Sequence, residues 1–311
     1  MTKTMHSPGD VVVATVLPFH EDQSIDWKSY ERVLRYCGLA DGISAVFVNG
    51  HAGEGGALDR KERIDVLRFT REMLGDGRPL VAGIIATSTR EAIDEALAAR
   101  NAGASMLTVF PPATFVNAST AMVVAYVRAI GEASGLPLAI FQYPLASGYG
   151  YSTATLVELA RLPFVVAIKE GSDSMRAYEE TRAAVKAVRA DLKILASNFD
   201  WFLAQIAVGS DGILSGLASL VPQDLVALWR AGEAEDLAAM RRAGERMLPL
   251  VRAIYAAPRN EMYARIKVAL AMMNVIECER AREPFLPVSA EMRDVIRNAL
   301  VQSGLIKGAT P

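Results

Sequence analysis

Eight short apolar, β-branched runs recur along the chain, at residues 11–16, 44–48, 80–84, 106–109, 138–142, 165–169, 193–196 and 212–214. Longer stretches of helical period lie between them, at 27–39, 60–74, 89–101, 120–133, 153–162 and 174–188. Strand followed by helix gives parallel strands joined by right-handed crossovers, and eight such units close on themselves. The expected fold is therefore α/β, a (β/α)8 TIM barrel. An open doubly wound sheet is the rival, but it would place a G-x-G-x-x-G after the first strand, and none stands there. From Pro222 onward the pattern is helical only, interrupted at Ala257-Pro258-Arg259-Asn260 and at Glu283-Pro284. The expected division is a catalytic barrel over 1–221 and a C-terminal helical segment over 222–311 packed on it.

Composition removes several function classes. A net charge of −2 leaves no basic footprint for nucleic acid and no polybasic run for a membrane surface. The opening MTKTMHSPGD is polar and leads directly into the first apolar run, which predicts neither a signal peptide nor a membrane span. Cys37 and Cys278 are the two cysteines, far apart, which argues against a disulfide framework and for a reducing cytoplasm. The three histidines, His6, His20 and His51, are too few and too scattered for a catalytic metal centre, so none is expected.

In a parallel barrel the reactive groups stand at the carboxyl ends of the strands, where the βα loops form the open face. The polar residues there are Asn49 and His51 after strand two, Gln142 and Tyr143 at strand five, Lys169 at strand six, and Ser197 and Asn198 after strand seven. Strand alternation puts Val165, Ala167 and Lys169 on one face and Glu170 on the other. If that face lines the interior, Lys169 projects an amine from an apolar floor. Desolvation there favours the neutral, nucleophilic form. A strand-end lysine that snorkels its ammonium to solvent fits the same pattern. The turn Gly50-His51-Ala52-Gly53-Glu54-Gly55-Gly56 offers backbone N–H groups to a carboxylate, but no Gly-Lys-Ser/Thr closes it as a phosphate loop. His51 can serve as an acid–base group, a substrate donor or a locally bonded turn residue.

With these pieces in place, the sequence resembles the dihydrodipicolinate synthase/N-acetylneuraminate lyase family, Schiff-base aldolases on this barrel. The resemblance runs almost end to end. Val11–Phe19 resembles the family's first strand, and Asn49-Gly50-His51-Ala52-Gly53-Glu54 stands where the family has Gly-Thr-Thr-Gly-Glu. Ala167-Ile168-Lys169-Glu170 matches the Gly-Ile-Lys-Glu that holds the imine-forming lysine. Pro144-Leu145-Ala146-Ser147-Gly148 resembles the neuraminate lyases' Pro-Ala-Leu-Ser-Gly, and 260–267 and Phe285-Leu286-Pro287 sit in family-like places in the tail. There are departures. Phe141 occupies the position of the strand-five tyrosine, and His51 and Ala52 replace the turn hydroxyls. Val109-Phe110-Pro111-Pro112-Ala113 replaces the synthases' Thr-Pro-Tyr-Tyr, and their carboxylate-binding arginine becomes Ala146 or Ser147.

The resemblance implies a cofactor-free, metal-independent lyase that holds pyruvate or a related 2-oxo acid as a Schiff base on Lys169. Tyr143 and His51 are the expected proton-handling partners, Tyr143 because it shares the strand face of Phe141. His51, Ala52, Phe141, Gln142, Ser147, Asn198 and Ser215 are the expected substrate contacts. It also implies a cytoplasmic homo-oligomer, a tetramer or dimer, without nucleic-acid or membrane partners. Three alternatives stand beside this expectation. One is a catalytically silent barrel that binds a 2-oxo acid; another is a true 4-hydroxy-tetrahydrodipicolinate synthase with a rearranged proton relay. The third, a metal-dependent barrel aldolase, is disfavoured by the shortage of ligands.

Overall fold

The protein is described by a computed structural model covering residues 10–197 and 201–308. Eight parallel strands close into a barrel in chain order: β1 (Val11–Ala14), β2 (Ile43–Val48), β3 (Leu80–Ile84), β4 (Met106–Val109), β5 (Leu138–Phe141), β6 (Val165–Glu170), β7 (Lys193–Ala196) and β8 (Ile213–Ser215). Closure is made by β8 against β1, where Val11 pairs with Ile213 and Val13 with Ser215. The crossovers are α1 (Trp27–Val33), α2 (Arg60–Leu74), α3 (Thr89–Asn101), α4 (Thr120–Ser134), α5 (Thr153–Ala160), α6 (Met175–Val188) and α7 (Phe202–Ala207). Most begin at a side-chain cap. Asp59 and Glu62 form a reciprocal capping box on α2, and Ser88, Ser119, Ser152 and Ser174 each accept a backbone N–H at the start of the next four. The expected helix over 27–39 is α-helical only to Val33 and then widens into a π turn, Leu34–Gly38.

Two apolar layers result from strand alternation. Val11, Val13, Val46, Ile140 and Ile168 face the helices in the outer core, while Val12, Ala14, Phe47, Ala139 and Ala167 fill the barrel interior. One expectation needs correction. Val165 does not share the face of Ala167 and Lys169: the β5–β6 register shifts between Leu138 and Ala139, which pair with Val165 and Ala167. The extra residue at this bulge sends Val165 to the outer core and Val166 inward, and regular alternation resumes only from Ala167.

After β8 the chain forms α8 (Pro222–Glu233), α9 (Leu237–Ile254), α10 (Met262–Met272) and α11 (Ala290–Gln302). The first of these packs on β1 and α7, completing the outer ring, and α9 packs on α8 and α11. Among the described residues no helix is long and apolar enough to cross a membrane.

Candidate active site

A cavity of about 500 Å³ opens at the carboxyl ends of the strands. Its floor is set by the end of β6. Phe141 and Lys169 are register partners, and the Gln142 amide donates to the Lys169 carbonyl at 3.0 Å. The strands stay this close because residue 171 is glycine; a Cβ there would lie 2.5 Å from the Gln142 carbonyl oxygen. Lys169 therefore reaches into the cavity beside an aromatic wall, with its Nζ 4.1 Å from the Phe141 ring centroid. Burial lowers the ammonium pKa from the usual 10.5 to about 7, with the charge of Glu170 opposing. Glu170 is fully buried, accepts from the Ser172 amide and hydroxyl at 3.2 and 3.0 Å, and is itself pushed up to about 7 by burial. At pH 7 the lysine thus has a substantial free-amine population, the form that attacks a carbonyl.

The second wall is the glycine-rich turn after β2. Asn49 and Glu54 hold left-handed backbone (φ 57° and 51°), and a Cβ at Gly55 would lie 2.1 Å from the Asn49 carbonyl oxygen. The turn folds back tightly on its strand and presents His51 inward. The imidazole sits among Phe110, Phe141 and Tyr143, with ring centroids 4.9, 5.3 and 5.7 Å away. Its Nε2 forms a hydrogen bond with the Tyr143 hydroxyl. Burial, and then the positive charge of Lys169, lower His51 to about 4, while burial raises the Tyr143 phenol. Both members of the pair are neutral at pH 7. Ala52 is buried and lines the same cavity.

The other expected contacts divide. Phe141 and Gln142 line the cavity, but the Gln142 amide is engaged elsewhere, donating to the Tyr151 carbonyl at 2.7 Å and accepting from its amide at 2.8 Å. Ser147 and Ser215 are not brought into the cavity. Ser147 is exposed and its hydroxyl donates to the Pro144 carbonyl at 2.6 Å. Ser215 pairs with the outward-facing Val13, and its hydroxyl accepts the Leu217 amide at 3.0 Å. Asn198 lies outside the described residues. Ser197, noted only as a strand-end residue, lines the cavity while donating to the Glu170 carbonyl at 2.8 Å.

Sequence reasoning missed the contribution of the C-terminal segment. Arg259, Asn260, Met262, Tyr263 and Phe285 all reach the cavity. The Tyr263 ring lies nearly parallel to His51 at 6.3 Å, and the Arg259 guanidinium pairs with Asp173 at 2.9 Å across the mouth. The break at 257–260 was visible as a helix interruption; nothing local in it says that it meets the β6 loop. The tail is held in place by a buried ion pair between Lys267 and Glu54, the last polar residue of the turn. Glu54 also accepts the Arg282 amide at 2.8 Å. Among the described residues, no three His, Cys, Asp or Glu side chains converge as a metal would require.

The Dihydrodipicolinate synthetase family matches residues 7–303. A 4-hydroxy-tetrahydrodipicolinate synthase of Thermotoga petrophila is 28% identical over 298 residues, 95% of this chain and 99% of the relative. One from Koribacter versatilis is 30% identical over 300 residues, 96% of each. The crystal structure of dihydrodipicolinate synthase from Thermotoga maritima superposes with a TM-score of 0.90 at 26% identity, covering 97% of this chain and 100% of that one. That of the Acinetobacter baumannii enzyme, complexed with pyruvate, gives 0.87 at 26% identity over 97% and 100%. The eight-stranded barrel, the strand-six lysine in its cavity and these matches agree: the chain belongs to the dihydrodipicolinate synthetase family.

Proposed function

We propose that this protein is a class I lyase that binds pyruvate or a longer 2-oxo acid as a protonated imine on Lys169 and makes or breaks the carbon–carbon bond beyond it. The observation that carries this reading is Lys169 itself: an amine at the end of β6, in an apolar cavity, with its pKa brought down to about 7 by burial. The pyruvate complex of the Acinetobacter baumannii relative supports the choice of oxo acid.

In the cleavage direction the Lys169 amine attacks the keto carbon and water leaves, giving the iminium. The substrate carboxylate lies on the backbone amides around His51 and Ala52. The turn's own closing bonds use the later amides, Glu54 to the His51 carbonyl and Gly55 to the Gly50 carbonyl. The hydroxyl on the fourth carbon passes its proton to the Tyr143 oxygen as Tyr143 passes its own to His51 Nε2. The bond between the third and fourth carbons breaks, its electron pair neutralises the iminium as an enamine, and a carbonyl compound departs. The third carbon then takes the proton back, and water hydrolyses the imine, restoring the amine and freeing the oxo acid.

His51 is a poor base beside a cation, and Lys169 is part of what lowers it. Carbon–carbon cleavage removes the iminium charge as the imidazole gains one. Lys169 and His51 therefore carry one positive charge between them throughout, where two on neighbouring buried groups would be costly. No metal or cofactor takes part in this sequence. Incubation with pyruvate and borohydride, read by intact mass and peptide mapping, tests it: one reduced pyruvyl adduct on Lys169 is expected. Labelling of another lysine, or of none across a range of 2-oxo acids, refutes it. A barrel that forms the adduct yet turns over no 2-oxo acid is the silent binder that the missing hydroxyls at positions 52 and 141 would suit.

A further inference from the structure

We infer that the carbonyl compound added or released at this site carries an uncharged aromatic or apolar group and no carboxylate. The inference rests on the Schiff-base reading and concerns the half of the cavity beyond the oxo acid. Once Lys169 holds the imine and the β2 turn holds its carboxylate, the lining that the strand-five loop and the tail add includes Tyr143, Pro144, Met262, Tyr263 and Phe285, with Asn260 and the Arg259–Asp173 pair beside them. Three of the first five are aromatic rings and none of the five carries a charge. Such a surface gains most from a flat apolar group, which it can stack on and desolvate.

A second carboxylate would need a cation, and among the described lining residues only Lys169 and Arg259 are cationic. Lys169 is consumed by the imine. Arg259 lies at the mouth, 47% exposed, and already pairs with Asp173 at 2.9 Å. An incoming carboxylate would have to displace Asp173 and then lie beside its like charge. The strand-five loop, where the synthases of the resembled family place an arginine, holds Ala146 or Ser147 instead; both are exposed and neither lines the cavity. Among the described lining residues no cation is thus left unopposed for a second acid group, while three rings line the recess.

The test uses the whole protein with pyruvate and two aldehydes, benzaldehyde and aspartate semialdehyde, with the borohydride adduct measured alongside. Carbon–carbon bond formation is read as the mass of the aldol product. The expected result is a pyruvyl adduct on Lys169 together with a kcat/KM at least about tenfold higher for benzaldehyde. An adduct with aspartate semialdehyde favoured or equal, or with no aromatic turnover, overturns the inference and leaves the Schiff-base reading standing. No adduct removes both. Met262→Arg adds a cation to the outer half and should shift the preference toward aspartate semialdehyde by about tenfold. An unchanged ratio in that variant, with the adduct still forming, also counts against the inference.

Discussion

The Nζ of Lys169 lies 4.1 Å from the centroid of the Phe141 ring, and that contact works against the nucleophile. A ring face attracts the ammonium by about 0.5–2 kcal/mol, at most roughly 1.5 pKa units. Burial works the other way, and it is the main cause that brings the pKa from 10.5 to about 7 against the opposing charge of Glu170. Imine formation should therefore rise with pH through about 7 and then level off. The rate of pyruvate trapping by cyanoborohydride between about pH 5 and pH 10 measures this. A rate that kept climbing to the ordinary lysine range would show that the amine is solvated.

Lys169→Met should abolish the adduct and raise the stability of the fold. The folded-state pKa of about 7 lies below the unfolded value, so the unfolded chain binds more protons between about pH 7 and pH 10.5. Native stability from this group therefore increases with pH across that window, and below it the full cost of burying an ammonium is felt. The Met variant escapes that cost. Its advantage in Tm should be largest below about pH 7 and fade toward pH 10.

Tyr143→Phe and His51→Ala each break the pair that the cavity brings together. Each should lower kcat by on the order of 10²–10⁴-fold while the pyruvate adduct still forms. Because the two act as one relay, the double variant should be little slower than either single one. Condensation of pyruvate with aspartate semialdehyde should be slow in the native protein, and Phe141→Tyr alone should recover less than about tenfold, since the new hydroxyl has no Ala52 hydroxyl to hand its proton to. An ordinary turnover of about 1–10³ s⁻¹ with that aldehyde would show that His51 and Tyr143 run the synthase relay.

Lys267→Met leaves Glu54 buried against an apolar neighbour and should destabilise the protein by about 3–5 kcal/mol in urea unfolding. Adding Glu54→Gln removes the stranded charge, so the double variant should lose less than the sum of the single changes. Equal additivity would mean that the pair contributes nothing as a pair.

Any carbon–carbon bond chemistry found should survive EDTA, because the iminium is the electron sink. Loss on chelation with rescue by a divalent ion would replace the imine mechanism with a metal-dependent one.

Local pattern was enough for the barrel and for its lysine. The contrast between a period of two in 138–142 and a helical period in 120–133 survives in the bare sequence, and the expected elements fall within a few residues of β5 and α4. Where the pattern misled, the cause was a bulge. One extra residue at the start of β6 moves Val165 to the outer face, and no composition signal marks it. The serines at 147 and 215 misled for another reason. A hydroxyl near a strand end is just as well satisfied by a nearby backbone group as by a ligand, and here both are.

By itself, then, the sequence determined an eight-unit α/β barrel and an amine at the carboxyl end of its sixth strand, and, set beside the family it resembles, the loss of that family's turn and strand-five hydroxyls. These are written in short-range periodicity and in residue identity, which need no knowledge of distant contacts. Only the tertiary structure decided that His51 and Tyr143, 92 positions apart, share a hydrogen bond, and that Tyr263, Met262 and Phe285 from the tail roof the cavity. It likewise decided that Lys169 is desolvated enough to lose its proton near neutrality. The reason is that burial and pairing are properties of the closed barrel. A lysine's pKa depends on what surrounds it once every loop has packed, and a loop's path is set by long-range partners such as Lys267 and Glu54.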